Sequence, residues 1–320
     1  MTNRVSASES RSLRSLRSIG EDALIALLTN GLSAGTGTLV GVGDDCAVLG
    51  KPGQRSPYTL FKTDCIVENV HYLADEDPAK VGWKAMARAV SDIGAMGGWP
   101  IAALATVILH PDTSLAFAKG IYRGFQKAGR AYSFGIVGGE TSQVSKSGCN
   151  MISVSMLGKV EPGRCVLRST AQAGDAVLVT GRLGGSMGGR HLTFQPRLEQ
   201  ARWLVEHFRP SAMMDLSDGV ARDLPRLAKA SGLACVIDRG AIPRNRGCSV
   251  DDALKDGEDY ELLLTIHPGR VDRLIAAWRA QFPRLPLTRI GGMCGKCGKP
   301  ASSDTGLGLG LGDGGWDHFD

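Results

Sequence analysis

Long apolar runs are the first thing this 320-residue chain lacks. Its longest largely apolar stretch, IAALATVIL at 101–109, is far short of the roughly 20 residues that span a bilayer. The sequence therefore reads as that of a soluble, cytoplasmic protein without a membrane partner. The common nucleotide signatures are missing too. There is no GxxxxGK[ST], and no GxGxxG at a strand-to-helix turn, which excludes a P-loop and a dinucleotide fingerprint. An excess of positive charge is lacking over most of the chain. Of the net +5, Arg4, Arg11, Arg14 and Arg17 against Glu9 supply +3, and the remaining +2 leaves no case for a nucleic-acid partner. Paired cysteines are not evident either. The eight (46, 65, 149, 165, 235, 248, 294, 297) are scattered, as expected of reduced thiols. CGKC at 294–297 offers two of the four ligands a structural zinc needs, with no second pair nearby.

What the chain has in quantity is glycine, 43 residues, much of it in doublets such as Gly97–Gly98, Gly138–Gly139 and Gly184–Gly185. Such doublets mark tight turns or places where backbone approaches something closely, phosphate included. Residues 1–18, rich in Ser and Arg and without a secretory apolar core, read as a disordered tail. From Ile19 the pattern alternates: a short helix to Gly31, a strand at YTLFKTD, and a long helix from Pro78 to Gly97. Strands and helices follow at 101–109, 113–130, 132–137 and 150–159. A turn at Pro162–Gly163 suggests a boundary. Beyond it come a strand at AVLVTG, helices near 184–208, and MMDLS. A helix to Lys229, strands LACVID and YELLLTI, a helix at 268–281 and a strand near 287–291 complete the series. The expectation is an α/β fold of two domains, 19–162 and 163–320, the second a mixed sheet covered by helices.

Acidic residues recur at the predicted ends of these elements: Asp44 and Asp45 in GVGDD, Asp64 in KTD, Asp92 in AVSDIGAMGG, Glu140 in VGGE, Asp215 and Asp218 in DLSDG, and Glu258, Asp259 and Glu261 in GEDYE. Any one alone is ordinarily a cap, a turn residue or a solvated charge. Asp92 fits that reading least. A carboxylate in the last turn faces the negative end of the helix dipole among apolar neighbours, so something cationic should compensate it. The whole set exceeds what acid/base work needs. Oxygen ligands suit Mg²⁺, which takes one or two carboxylates per ion plus phosphate oxygens. Several ions with glycine-lined turns suggest a nucleotide. One of the six histidines, His71, follows Asp64 by seven residues.

Taken in order, GEDALIALL, GVGDDCAVL, KTDCIVENVHYL, GWKAMARAVSDIGAMGGWP, GGETS, RSTAQAGDAVLVTG, DLSDGVARDL, GEDYELLLT and GWDHF resemble the thiamine-monophosphate kinase family. That family belongs with aminoimidazole ribonucleotide synthetase, selenophosphate synthetase and a hydrogenase maturation factor. The resemblance covers most of the chain. It implies ATP-dependent phosphorylation of thiamine monophosphate to thiamine diphosphate, in a homodimer whose N-terminal halves share a β-barrel. By position it implies Asp45, Thr63, Asp64, Asp92, Glu140, Asp215 and Asp218 as magnesium ligands, and Gly139, Glu140, Arg168 and Ser217 as ATP contacts. His71, Glu258 and Trp316 become thiamine monophosphate contacts, with Asp92, Asp218 and Arg168 nearest the chemistry.

Two residues depart from the family pattern. Glu140 stands where an Asp is usual, and Lys62 stands where a small hydroxyl residue is common, so its ammonium either replaces a cation or weakens its binding. Both put the number of metal ions in question. They also keep two alternatives open: an aminoimidazole ribonucleotide synthetase-like enzyme, and a non-catalytic protein that binds nucleotide or thiamine phosphate.

Overall fold

The computed structural model describes residues 16–295 and Gly315. Two sheets organise the chain. The first has six strands, β1 (Thr38–Val40), β2 (Ala47–Leu49), β3 (Tyr58–Val67), β4 (Trp99–Leu109), β5 (Gly135–Gln143) and β6 (Met151–Val160), in the order β1-β2-β3-β6-β4-β5. All its pairings are antiparallel except β4 with β5. Helix α1 (Glu21–Thr29) precedes it. Helices α2 (Pro78–Ala95) and α3 (Leu115–Tyr132) build its core, with Leu60, Ile66, Val107, Ile152 and Met156 buried beneath Met86, Val90 and Ile93.

The ends of α2 follow from local chemistry. Asp77 caps the first turn by accepting from the Ala79 amide at 2.8 Å, Pro78 occupies the first turn, and Gly97 with φ 77° ends it. The two helices approach so closely that a Cβ on Gly82 would strike the Ile121 carbonyl, and one on Gly124 the Ala79 carbonyl. Glycine at both positions sets the spacing.

The second sheet is antiparallel, β7 (Ala176–Thr180), β8 (Ala212–Asp215), β9 (Ala234–Ile237), β10 (Leu262–Ile266) and β11 (Leu287–Cys294), in the order β8-β10-β7-β11-β9. Both faces are covered. Val177 and Val179 pack with Leu224 and Leu227 of α5 (Val220–Ala230) and Leu254 of α6 (Val250–Lys255). Ala176 and Leu178 face Leu204 of α4 (Leu198–His207) and Trp278 of α7 (Val271–Gln281). A strand buried on both faces needs apolar residues at every position, as AVLV supplies.

The mixed α/β architecture is as expected from the sequence, and several boundaries differ. β3 and β5 run past Asp64 and Glu140, so both acids lie within strands rather than at their ends. The segment expected to be helical from 184 holds two short 3₁₀ turns before α4, because Gly184, Gly185 and Gly189 adopt positive φ. YELLLTI becomes a strand only at Leu262, since Tyr260 has φ 50°. The capped α6 was not anticipated. Its Ser249 and Asp252 form a reciprocal capping box.

The first sheet is open in the single chain. One face leaves Phe61, Ile101, Leu104, Val137 and Leu157 exposed. No helix among the described residues is long and apolar enough to cross a membrane. The seven cysteines among them carry free thiols. Cys297, and with it the CGKC pair, lies outside the described residues, as do the N-terminal arginines through Arg14 and Trp316.

Candidate active site

Three buried carboxylates converge where the two sheets meet. Oxygens of Asp45, Asp92 and Asp215 lie within 4.8 Å of one another. Asp45 comes from the loop before β2, Asp92 from the last turn of α2, and Asp215 from the final residue of β8. Burial, and then the charge of Asp45, push the Asp215 carboxyl up to about 7. Burial likewise holds Asp92 well above the usual carboxylate range, with Asp64 and Asp215 adding to the rise against Lys62. Asp44, beside Asp45, is pushed up to about 6 by burial and that neighbouring charge. Three acids this close require cations or protons between them.

The cation expected opposite Asp92 is Lys62. Its Nζ lies 3.1 Å from Asp92 Oδ1 and 3.8 Å from Asp64 Oδ1. Lys62 and Asp64 share one face of β3, two residues apart, and that face is turned toward α2. Arg88 of α2 stands 3.7 Å from Asp64 and donates to the Cys65 carbonyl at 3.1 Å. Against the penalty of burial, Lys62 and Arg88 hold Asp64 below its ordinary value. Arg168, in a 3₁₀ turn at Arg168–Thr170, forms an ion pair with Asp45, and its amide donates to Asp44 Oδ2 at 3.0 Å. Ser91 Oγ donates to Asp215 Oδ2 at 2.5 Å.

The donor set fits Mg²⁺. Asp45 Oδ2 and Asp64 Oδ2 are buried with no hydrogen-bond partner, an arrangement whose desolvation cost a hard cation offsets. Asp45, Asp92 and Asp215 supply the converging oxygens.

A second group adjoins the first. Lys84, fully buried in α2, donates to the His71 carbonyl at 2.7 Å and pairs with Glu258 Oε2 at 2.6 Å. Burial lowers the Lys84 ammonium to about 8 despite that carboxylate. His71 is buried, and its Nδ1 accepts from the Val67 amide at 3.1 Å. Glu258 also accepts from the Tyr260 hydroxyl at 3.1 Å, and its amide donates to the Ser217 carbonyl at 2.6 Å. Glu258 and Tyr260 both sit in the left-handed region, φ 56° and 50°, a conformation that costs free energy and persists where surrounding contacts enforce it. Those contacts are visible. Asp259 takes the Gly184 amide and the Ser186 hydroxyl, and Glu261 takes Thr180 Oγ1 and Arg197. Asp259 and Glu261 thereby pin the loop, and Glu258 is left facing His71 and Lys84.

The expected site residues are not all gathered. Thr63 points to the opposite face of β3 from Lys62 and Asp64, where its hydroxyl accepts from Ser155 at 3.5 Å. Asp218 pairs with Arg226, which also holds Asp22 and Asp223, and is not one of the three converging acids. Glu140 is exposed on the edge strand β5 and, among the described residues, forms no ion pair. Gly139 beside it is required sterically, since a Cβ there would strike the Ala105 carbonyl. Ser217 donates its amide to Asp223 Oδ2 at 3.1 Å. Gly315, the residue before Trp316, packs against the Asp218 carbonyl and Arg222.

Sequence reasoning missed Lys84, Arg88 and Ser91. The signal was available for the charged residues: Lys84, Arg88 and Asp92 recur at i, i+4 and i+8 in a helix rich in apolar residues, which places one charged stripe on a buried face.

Residues 43–160 match the family described as AIR synthase related protein, N-terminal domain. Over 275 residues the chain is 34% identical to a thiamine-monophosphate kinase of Rhodopirellula baltica, covering 81% of this chain and 84% of that one. It is 32% identical over 304 residues to the Aquifex aeolicus thiamine-monophosphate kinase, covering 86% and 92%. Among solved structures, AaThiL complexed with AMPPCP and TMP is similar with a TM-score of 0.76 and 28% identity, over 96% of this chain and 99% of that one. With buried acids, a strained Glu258 loop and whole-length likeness in agreement, the chain belongs to the thiamine-monophosphate kinase family.

Proposed function

We infer that this protein transfers the γ-phosphoryl group of ATP to thiamine monophosphate, giving thiamine diphosphate and ADP. The observation that carries the reading is the likeness over 96% of the chain to a structure holding both AMPPCP, an ATP analogue, and TMP. The geometry agrees with it. The acceptor is a phosphate monoester with a second pKa near ~6, so its oxygen is already largely anionic at neutral pH and needs no general base. In-line attack forms one P–O bond to the γ-phosphorus and breaks the bond to the β-phosphate oxygen, which leaves on ADP. The difficulty is bringing two anions together, and a cation-loaded acidic centre addresses it.

Asp45, Asp92 and Asp215 would hold magnesium, which when bound supplies charge neutralisation for the phosphates. Arg168, whose buried Nε has no hydrogen-bond partner, orients Asp45 and keeps a donor for a phosphate oxygen. Lys84 fixes Glu258 against the His71 backbone, and so shapes the place proposed for thiamine monophosphate. Asp218, Glu140, Ser217, Gly139 and Thr63 enter this reading as positions near ATP or further metal, supported by their place in the family motifs. Division at 162/163, a cytoplasmic location and a homodimer built on the exposed face of the first sheet belong to the same reading.

The test is formation of ADP and thiamine diphosphate from ATP, Mg²⁺ and thiamine monophosphate. Free thiamine and formylglycinamidine ribonucleotide serve as control acceptors. Thiamine diphosphate in step with ADP is the expected outcome. Turnover with formylglycinamidine ribonucleotide instead, or ligand binding without product at any magnesium concentration, would replace this reading with one of its rivals.

A further inference from the structure

We propose that Lys62 is a built-in cation of the acidic centre: its ammonium bridges Asp64 and Asp92, so divalent ions load against Asp45, Asp92 and Asp215 and not between Asp64 and Asp92. The inference rests on the magnesium-dependent reading above and goes beyond it by assigning a charge carried by the chain itself.

The argument is geometric. The pleat of β3 sends Lys62 and Asp64 to the same side, toward the last turns of α2. Lys62 Nζ then lies 3.1 Å from Asp92 Oδ1 and 3.8 Å from Asp64 Oδ1. A divalent ion placed between those two carboxylates would have to share that space with the ammonium. Volume and like charge both forbid the two together. The oxygens of Asp45, Asp92 and Asp215 converge within 4.8 Å, and Asp45 Oδ2 is buried with no hydrogen-bond partner. Asp64 Oδ2 is buried with no hydrogen-bond partner as well, but Asp64 is not among the converging acids.

The ammonium is also well anchored. Arg88, 3.7 Å from Asp64 and bonded to the Cys65 carbonyl, flanks the pair and holds β3 against α2. Two carboxylates thus face the one ammonium. One cation is therefore present before any metal arrives. The consequence is a centre that tolerates low magnesium better, and binds fewer ions, than its carboxylates alone would.

The experiment compares the unaltered protein with Lys62→Met and Lys62→Arg, using Mn²⁺ as probe without nucleotide or thiamine phosphate. Bound Mn²⁺ per chain is counted by electron paramagnetic resonance titration, and melting temperature is followed with and without metal. Lys62→Met should bind one more Mn²⁺ per chain, melt several degrees lower without metal, and recover more on metal addition. Lys62→Arg should match the unaltered protein in count. An unchanged count and an unchanged metal-induced shift in Lys62→Met would overturn the proposal.

A measurement on the unaltered protein covers the case in which Lys62→Met does not fold. Acylation of Lys62, read by mass spectrometry, should stay equally slow at saturating Mg²⁺, whereas labelling that rises with Mg²⁺ would mean the ion displaces the ammonium. Neither readout involves turnover, so failure here and failure of the kinase assignment are separate results.

Discussion

A carboxylate in the last turn of a helix, buried and facing the negative end of the dipole, is an expensive residue to keep. Asp92 is kept in α2 with Lys62 across from it and Asp45 and Asp215 beside it. Asp92→Asn should lower kcat by roughly 10²–10³, the range for losing one electrostatic group at a reacting centre. Its melting temperature without metal should fall little, because Asp64 still holds Lys62 and one charge leaves a crowded centre. Steady-state assays and thermal melts check this together, and near-normal turnover would remove Asp92 from the site. Lys84 gives a pH prediction. Its ammonium is lowered to about 8 in the folded protein, first by burial, from an ordinary 10.5. Between those values the unfolded chain binds a proton that the folded one does not, so stability rises with pH in that window and is flat, for this group, below it. The rise amounts to about 3 kcal/mol. Urea unfolding of the unaltered protein against Lys84→Met at pH 7.5, 9 and 10 should reveal it as a difference in slope, other titrations being common to both.

At the level of elements, α2 organises the molecule. One stripe carries Lys84, Arg88 and Asp92 into the site, and the remaining surface is buried against β3, β6 and α3. So complete a burial is possible only because Gly82 and Gly124 let α2 and α3 touch backbone to backbone. Gly124→Ala should destabilise by about 1–3 kcal/mol, the usual cost of overpacking. Chemical denaturation measures it. Because the same displacement moves Lys84 and Asp92, activity should drop beyond what partial unfolding explains. β3 adds the second lesson at this scale. Its alternation sends Lys62 and Asp64 inward and Phe61 and Thr63 outward, so adjacent residues of one motif serve different faces.

At the scale of the whole molecule, the open face of the first sheet and the place of Gly315 matter most. Phe61 and Leu104 are 46% and 48% exposed, and Val137 is 67% exposed, a patch of the kind that marks an interaction surface. In the proposed homodimer that face is covered. Light scattering after gel filtration should give about twice the 33.8 kDa chain mass, and Leu104→Lys should shift it toward the single chain. Gly315 lies against Asp218 and Arg222. On the proposed thiamine monophosphate contact, Trp316→Ala should raise the KM for that substrate roughly tenfold, in line with loss of an aromatic contact to a cationic ring, and leave that for ATP nearly unchanged. Equal losses for both substrates would argue against a stacking role.

The sequence by itself determined the element types, the ordered motifs and the family they point to, because hydrophobic period and turn chemistry are local. It also determined that Asp92 needed a cation, since dipole and apolar neighbours are read from a few residues around it. Only the tertiary structure decided which acids meet. Asp45, Asp92 and Asp215 are far apart in the chain and converge through packing of α2 between the sheets, whereas Asp218 and Glu140, equally plausible as letters, are directed elsewhere by Arg226 and by the edge position of β5. The same is true of Lys62. Its partner Asp92 lies on another element, and the pleat that turns it inward rather than outward depends on a register set by β6.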